Sequence, residues 1–209
     1  IHWNFFYLII HLKIICQTHI VNETVQNVLC YDSANGQITV NVTGGTGSYS
    51  YVWNNGQTTQ TAVNLMPSTY NVVVTDSMGC SVTSLNQNIT QPDSLSITSI
   101  TTTNVSCNLG NDGSSVVIVT GGTQSYSYSW SGGTDTNLVA GTYTSTITDA
   151  NGCITSQDFT LTEPSAISVQ FMRDSVTCVG GSDGMATAIV TGGTGTYILL
   201  WDDGSAGNT

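Results

Sequence analysis

Apolar and polar residues alternate in short stretches along most of this chain, and a turn-forming cluster closes each stretch. Gln37-Ile38-Thr39-Val40-Asn41-Val42 reads as a half-buried strand, one face apolar and the other wet, and Tyr49-Ser50-Tyr51-Val52-Trp53 repeats the alternation with large residues. Ser115-Val116-Val117-Ile118-Val119-Thr120 is β-branched almost throughout, and Tyr126-Ser127-Tyr128-Ser129-Trp130 follows it after a double glycine. Thr142 to Thr148 and Asp158 to Thr162 supply later strands around Asp149-Ala150-Asn151-Gly152, a turn signature. No segment carries a sustained 3.6-residue period with caps, so no helix is expected. Short strands with turns at close spacing predict an all-β fold of antiparallel β-sandwich modules, immunoglobulin-like in the ordering of their marker residues.

The strands recur as a phrase. Cys30, Cys107 and Cys178 each stand 13 residues before a Thr-Gly-Gly, at Thr43-Gly44-Gly45, Thr120-Gly121-Gly122 and Thr191-Gly192-Gly193. Each Thr-Gly-Gly is followed, 10 residues on from its Thr, by Trp53, Trp130 or Trp201. Two copies also share a second half: Tyr70 leads through Asp76 to Gly79-Cys80, and Tyr143 through Asp149 to Gly152-Cys153. These two close at Gln91-Pro92 and Glu163-Pro164, whereas nothing after Trp201 resembles the Tyr-to-Cys phrase. A fixed period marks an array of modules. The expected organisation is an apolar segment over 1–23, repeat 1 over 24–98, repeat 2 over 99–169 and a truncated repeat 3 over 170–209.

Modules of about 70 residues are near the small end of what buries its own core, and such modules need a staple. Cys30 with Cys80 and Cys107 with Cys153 close loops of similar length in equivalent copies, which makes these the candidate structural disulfides and points to an oxidising compartment. Trp53, Trp130 and Trp201, with Tyr70 and Tyr143, recur at equal module positions and are read as core aromatics. The Cys-Trp-Cys order and the position of Tyr70 and Tyr143 parallel the immunoglobulin domain and its tyrosine corner.

Charge narrows the function. Thirteen acidic residues face only Lys13 and Arg173, a net charge of -11. Such a surface repels phosphate, so nucleic acid is no partner. No catalytic set is visible either: His2, His11 and His19 lie outside the repeats, no G-x-S-x-G is present, and the chain is read as a non-enzyme. Asp112, Asp183, Asp76 and Asp149 sit in loops where hard oxygen ligands would suit Ca²⁺ at module junctions, though Asp and Asn beside Gly are also ordinary turn residues. No other cofactor is expected. Asn22, Asn41, Asn88 and Asn104 fit the N-glycosylation pattern, a weak signal in so Ser/Thr-rich a chain.

Cys107-Asn108-Leu109-Gly110-Asn111-Asp112-Gly113, the Thr-Gly-Gly turn, Tyr126 to Trp130, Ala140-Gly141-Thr142-Tyr143 and Thr148 to Cys153 together resemble the SprB repeat. The resemblance covers about 24–209, and repeat 1 departs from it at Pro67-Ser68. It implies a region of a very large cell-surface protein of the Bacteroidota, such as a gliding-motility adhesin exported by type IX secretion. On that expectation the chain is extracellular, a stalk or adhesive array whose partners are neighbouring repeats and a surface polysaccharide or protein.

The first 23 residues differ in texture, with Ile1 to Cys16 apolar and rich in Ile and aromatics. They read either as signal-like sequence or as a donor strand. In the second case an incomplete third module would accept the segment from a neighbouring molecule, Cys16 would meet Cys178, and the chain would be a filament subunit joined head to tail. A third reading makes the modules carbohydrate-binding or spacer units of an exported enzyme.

Overall fold

A computed structural model describes residues 18–207. All its regular elements are strands, and every strand pair with a recorded register is antiparallel. The chain divides into two compact units. Unit 1 takes residues up to Ser96 together with the loops Thr120–Ser127 and Thr148–Ile154, and unit 2 takes Ile97–Val119, Tyr128–Ile147 and the residues from Thr155.

Unit 1 carries β1 (Thr18–Gln26), β2 (Gly36–Gly44), β3 (Tyr49–Trp53), β4 (Thr61–Leu65), β5 (Ser68–Tyr70), β6 (Val72–Asp76), β7 (Ser81–Thr83) and β8 (Gln87–Ile89). Hydrogen bonding orders them as sheets β1-β2-β4, β3-β6-β7 and β5-β8. The predicted alternation holds where it matters. Along β2, Ile38 and Val40 are fully buried while their neighbours reach solvent, and along β6 Val72 and Val74 do the same. These side chains close over Trp53, Ala62, Leu65 and Ile89 to form one core. Burying each large aliphatic side chain is worth about 1.5–3 kcal/mol, the main term holding the sheets together.

β1 starts at Thr18, pairing Thr18 with Gly44 and running to Gln26 with Gln37, so residues 18–23 are the first module's own strand. The apolar residues that face the core from it, Ile20 and Val25, are an odd number of positions apart. A bulge between Ile20 and Asn22 absorbs the extra residue and restores the face, which is why a strict period of two does not show this strand. Residues 1–17, including the apolar run, His2, His11 and Cys16, lie outside the described residues.

The remaining strands are β9 (Ser96–Thr103), β10 (Ser114–Thr120), β11 (Ser127–Trp130), β12 (Gly141–Thr148), β13 (Ile154–Leu161), β14 (Ser168–Asp174) and β15 (Met185–Thr191). They pair as β9-β10, β11-β12-β13 and β14-β15. Within unit 2, Leu138, Phe159 and Leu161 form a smaller core, with Ile100, Trp130 and Tyr143 packed against it. At Ser115 and Ser145, where repeat 1 has Ile38 and Val72, unit 2 buries hydroxyls that have no hydrogen-bond partner. The second core is therefore poorer than the first.

Candidate functional site

A small set of clamps recurs between the repeats, two of them in all three copies and one in repeats 1 and 2. Tyr49 donates its hydroxyl proton to the carbonyl of Gly44, Tyr126 to Gly121 and Tyr197 to Gly192, pinning the Thr-Gly-Gly turn from five residues downstream. Sequence reasoning did not single out these three tyrosines, although their fixed distance from the double glycine was readable. Tyr70 donates to the carbonyl of Met66 and Tyr143 to that of Val139, each at 3.0 Å, a bond back to the chain four residues upstream in both repeats.

A second clamp joins that turn to the Gly-Cys turn. Asp76 Oδ2 accepts the Thr46 N–H, and its Oδ1 accepts those of Met78 and Cys80, all at 2.9 Å. Asp149 repeats this with Thr123 at 2.8 Å and with Asn151 and Cys153 at 2.9 Å. The Cys80 N–H, with help from Thr46, Met78 and Gly79, holds the Asp76 carboxyl below the usual carboxylate range against the opposing effect of burial. Burial pushes Asp149 upward, but the N–H groups of Thr123, Cys153, Asn151 and Gly152 outweigh it and the net shift is downward.

A third clamp closes the loop after the first cysteine. Asn35 Oδ1 accepts the Leu29 N–H, Asp112 that of Ser106 and Asp183 that of Thr177. All four aspartates weighed as calcium ligands thus have carboxylate oxygens engaged by the chain's own N–H groups. Among the described residues no group of three or more His, Cys, Asp or Glu gathers to hold a metal ion.

The cysteines pair differently from the expectation. Cys30 is bonded to Cys153, 123 residues away, and not to Cys80; Cys107 is free and exposed, and not bonded to Cys153. Cys80 is itself disulfide-bonded, and Cys178 is free and exposed. Strand direction is the physical reason. Thr18, at the start of β1, lies beside Gly44 and donates to the Cys80 carbonyl, whereas Cys30 follows the far end of β1, past Gln26. A nine-residue strand spans about 27 Å, so the two cysteines of repeat 1 stand at opposite poles of their sandwich, far beyond disulfide reach. Of the proposed meeting of Cys16 with Cys178, only Cys178 lies among the described residues.

The bonded partner arrives on the second repeat's loops, which fold as part of unit 1. The Gly122 N–H donates to the Asp93 carbonyl at 2.8 Å, docking the turn of repeat 2 on the linker that follows repeat 1. Only glycine fits at Gly121: its φ is +72°, and an added Cβ would stand 2.0 Å from the Ser94 carbonyl oxygen. Asn151 Nδ2 donates to the Leu29 carbonyl at 2.9 Å and to Thr123 Oγ1 at 3.0 Å, and the Cys153–Cys30 bond completes the joint.

The marker aromatics occupy graded environments. Trp53 is only 2% exposed, and its indole N–H donates to the Thr59 carbonyl at 2.8 Å. Tyr70 is buried in the same core. Trp130 and Tyr143 are half-buried, the former with an indole N–H that meets no acceptor. Trp201 is half-buried against Phe171, and its indole N–H donates to the Gly207 carbonyl at 3.0 Å. It lines an apolar groove of ≈ 670 Å³ with Ile167, Val169, Phe171, Ala188 and Leu200.

The SprB repeat family model matches residues 22–58, 99–135 and 174–206, the first half of each copy. No curated protein is significantly similar to the chain.

Proposed function

The chain belongs to the SprB repeat family, and we propose that its modules are a non-catalytic stalk of a surface-displayed adhesin, exposed outside the cell. SprB repeats are found in cell-surface proteins. The observation that carries the reading is the Cys30–Cys153 bond, which ties the body of one repeat to a loop of the next. A tether of this kind transmits tension through covalent bonds from module to module, and it requires an oxidising compartment. The net charge of -11 keeps such an array soluble and extended away from anionic cell surfaces. In this role the ligand, a polysaccharide or a protein, is held by a part of the surface protein that the stalk carries outward, and gliding or attachment is the process served.

Labelling intact cells with an antibody raised against repeat 2 tests the reading. Surface labelling that disappears after protease treatment of whole cells is expected, and labelling confined to lysed cells would overturn it.

A specific observation favours a second reading, the self-assembling filament. The groove beside Trp201 leaves Phe171 and Leu200 exposed, as a strand acceptor would. Residues 18–23 are not available as donor, because β1 uses them within its own sheet. Chains that remain monomeric at all concentrations would count against this reading.

A further inference from the structure

Repeat 3 presents the first half of a joint. Ser165 accepts the Gly193 N–H at 2.8 Å, as Asp93 accepts that of Gly122, so the third turn is docked on its linker like the second. An added Cβ at Gly192 would stand 2.0 Å from the Ala166 carbonyl oxygen, repeating the approach of Gly121 to Ser94. Beside this turn is a cavity of ≈ 360 Å³ lined by Ser106, Cys107, Asn108, Gly193 and Thr194. By repeat position these residues correspond to Leu29, Cys30, Tyr31, Gly122 and Thr123. In unit 1 the turn Asn151-Gly152-Cys153 fills the space between those residues: Asn151 bonds both Leu29 and Thr123, and Cys153 bonds Cys30. Cys107 is a free, exposed thiol in the position where Cys30 is a cystine.

The apolar groove adds an independent observation on the same unit. In repeat 1, β6 lies on β3 with Trp53 opposite Val72, Tyr51 opposite Val74 and Tyr49 opposite Asp76. Among the described residues the corresponding segment of repeat 3, Tyr197 to Trp201, pairs with no strand and is held by an isolated bridge, Leu200 to Ala206, and by hydrogen bonds to Ser205 and Gly207. In the sibling repeats the equivalent strands β3 and β11 are paired by β6 and β12, each of which leads straight into the Asp-to-Cys turn.

We propose that Cys107, the Thr194 turn and the Trp201 groove form the acceptor half of a repeat-to-repeat joint. The acceptor takes the Tyr-to-Cys segment of a SprB repeat, carried in cis as in repeats 1 and 2, and is closed by a disulfide from Cys107. The cystine pattern of the array is then offset by one: the first cysteine of each repeat bonds the second cysteine of the following one. Closure is a thiol–disulfide exchange with a small disulfide oxidant such as oxidised glutathione. The Cys107 thiolate displaces one glutathione thiolate to give a mixed disulfide. The incoming cysteine thiolate then attacks the Cys107 sulfur and releases the second glutathione, so two protein thiols are oxidised and one disulfide is reduced.

Thr209 stands eight residues after Trp201, as Leu138 does after Trp130, so repeat 2's own segment Val139 to Thr162 can be appended directly after Thr209. The extended chain is equilibrated with reduced and oxidised glutathione, and its cystines are mapped by mass spectrometry. The expected result is loss of the Cys107 thiol, a bond from Cys107 to the appended cysteine, and slower tryptic cleavage after Arg173 in β14. A bond from the appended cysteine to Cys178, or an unchanged Cys107, overturns the disulfide.

A second extension with its cysteine replaced by serine isolates the groove. Reduced Trp201 exposure, read as a blue shift of emission relative to the unextended chain, is expected even without the bond. No shift overturns the docking. If the same segment added as a free peptide quenches Cys107 reactivity and protects Arg173 as fully at equimolar concentration, the commitment to a segment carried in cis is overturned.

Discussion

Replacing Cys153 with serine separates the observed pairing from the one that loop length suggests. The bond closes a loop of 123 residues. In the chain-entropy treatment a cross-link of that span restricts the unfolded chain by about 5 kcal/mol. The hydrogen bonds of the joint, from Asn151 to the Leu29 carbonyl at 2.9 Å and from the Gly122 N–H to the Asp93 carbonyl at 2.8 Å, are neutral and worth about 0.5–1.5 kcal/mol net each. The covalent constraint therefore dominates the joint, and Cys153→Ser should lower the free energy of unfolding by up to about 5 kcal/mol. Guanidinium unfolding followed by tryptophan fluorescence measures the loss. Cys30→Ser must produce the same loss, and the double variant no more, because one bond is removed in all three. Maleimide labelling supplies the chemical check: Cys107 and Cys178 label in the parent chain, and Cys30 joins them in Cys153→Ser. Trypsin cuts only after Lys13 and Arg173, leaving both partners on one fragment, so mapping needs a chymotryptic digest. Finding Cys30 unreactive in Cys153→Ser and bridged to Cys80 would refute the argument from opposite poles.

Other residues give sharp outcomes. Ser145→Val puts repeat 1's residue into the second core and removes a buried hydroxyl with no partner, so unit 2 should gain about 1–3 kcal/mol; an unchanged denaturation midpoint would contradict this. Trp53→Ala should cost about 3–5 kcal/mol, as for any fully buried large aromatic, whereas Trp201→Ala at the open groove should cost less than about 1 kcal/mol; equal losses would mean that the third module is closed. Asp76 and Asp149 titrate below their unfolded value of about 3.9, so their contribution is complete above about pH 4 and is lost as pH falls through the folded values. Melting temperatures between pH 2 and 6 should drop on the acid side in the parent and less steeply in Asp76→Asn, and parallel curves would remove the clamp from the account.

Period and spacing made β2, β3, β10, β11 and β12, the Thr-Gly-Gly turns and the buried face of β2 legible, because each rests on local chemistry that one sequence displays, whereas β9 and β14 were not singled out. β1 was hidden by a bulge, which breaks the parity a strand reading depends on. The aspartates were legible as turn residues and ambiguous as ligands. Their state follows from N–H groups up to 30 residues away, such as Thr46 for Asp76, which no local pattern reveals. Cystine pairing was the deepest miss. Loop length is the same whether a strand returns to its starting pole or leaves for the other, and only the path of β1 from Thr18 to Gln26 tells them apart.

That path also explains why the sequence period and the folded unit do not coincide. A sandwich with Cys30 at one pole and Cys80 at the other cannot be stapled by a bond between the two, and Cys30 takes its partner, Cys153, from the next repeat. The loops Thr120–Ser127 and Thr148–Ile154 belong to the compact unit of the preceding repeat because they bring that partner, with Gly122 bonded to Asp93 and Asn151 to Leu29 around it. The Cys30–Cys153 bond closes a loop of 123 residues, so a pull on the two ends of the chain bypasses the strands inside that loop and reaches residues beyond Cys153 through sulfur.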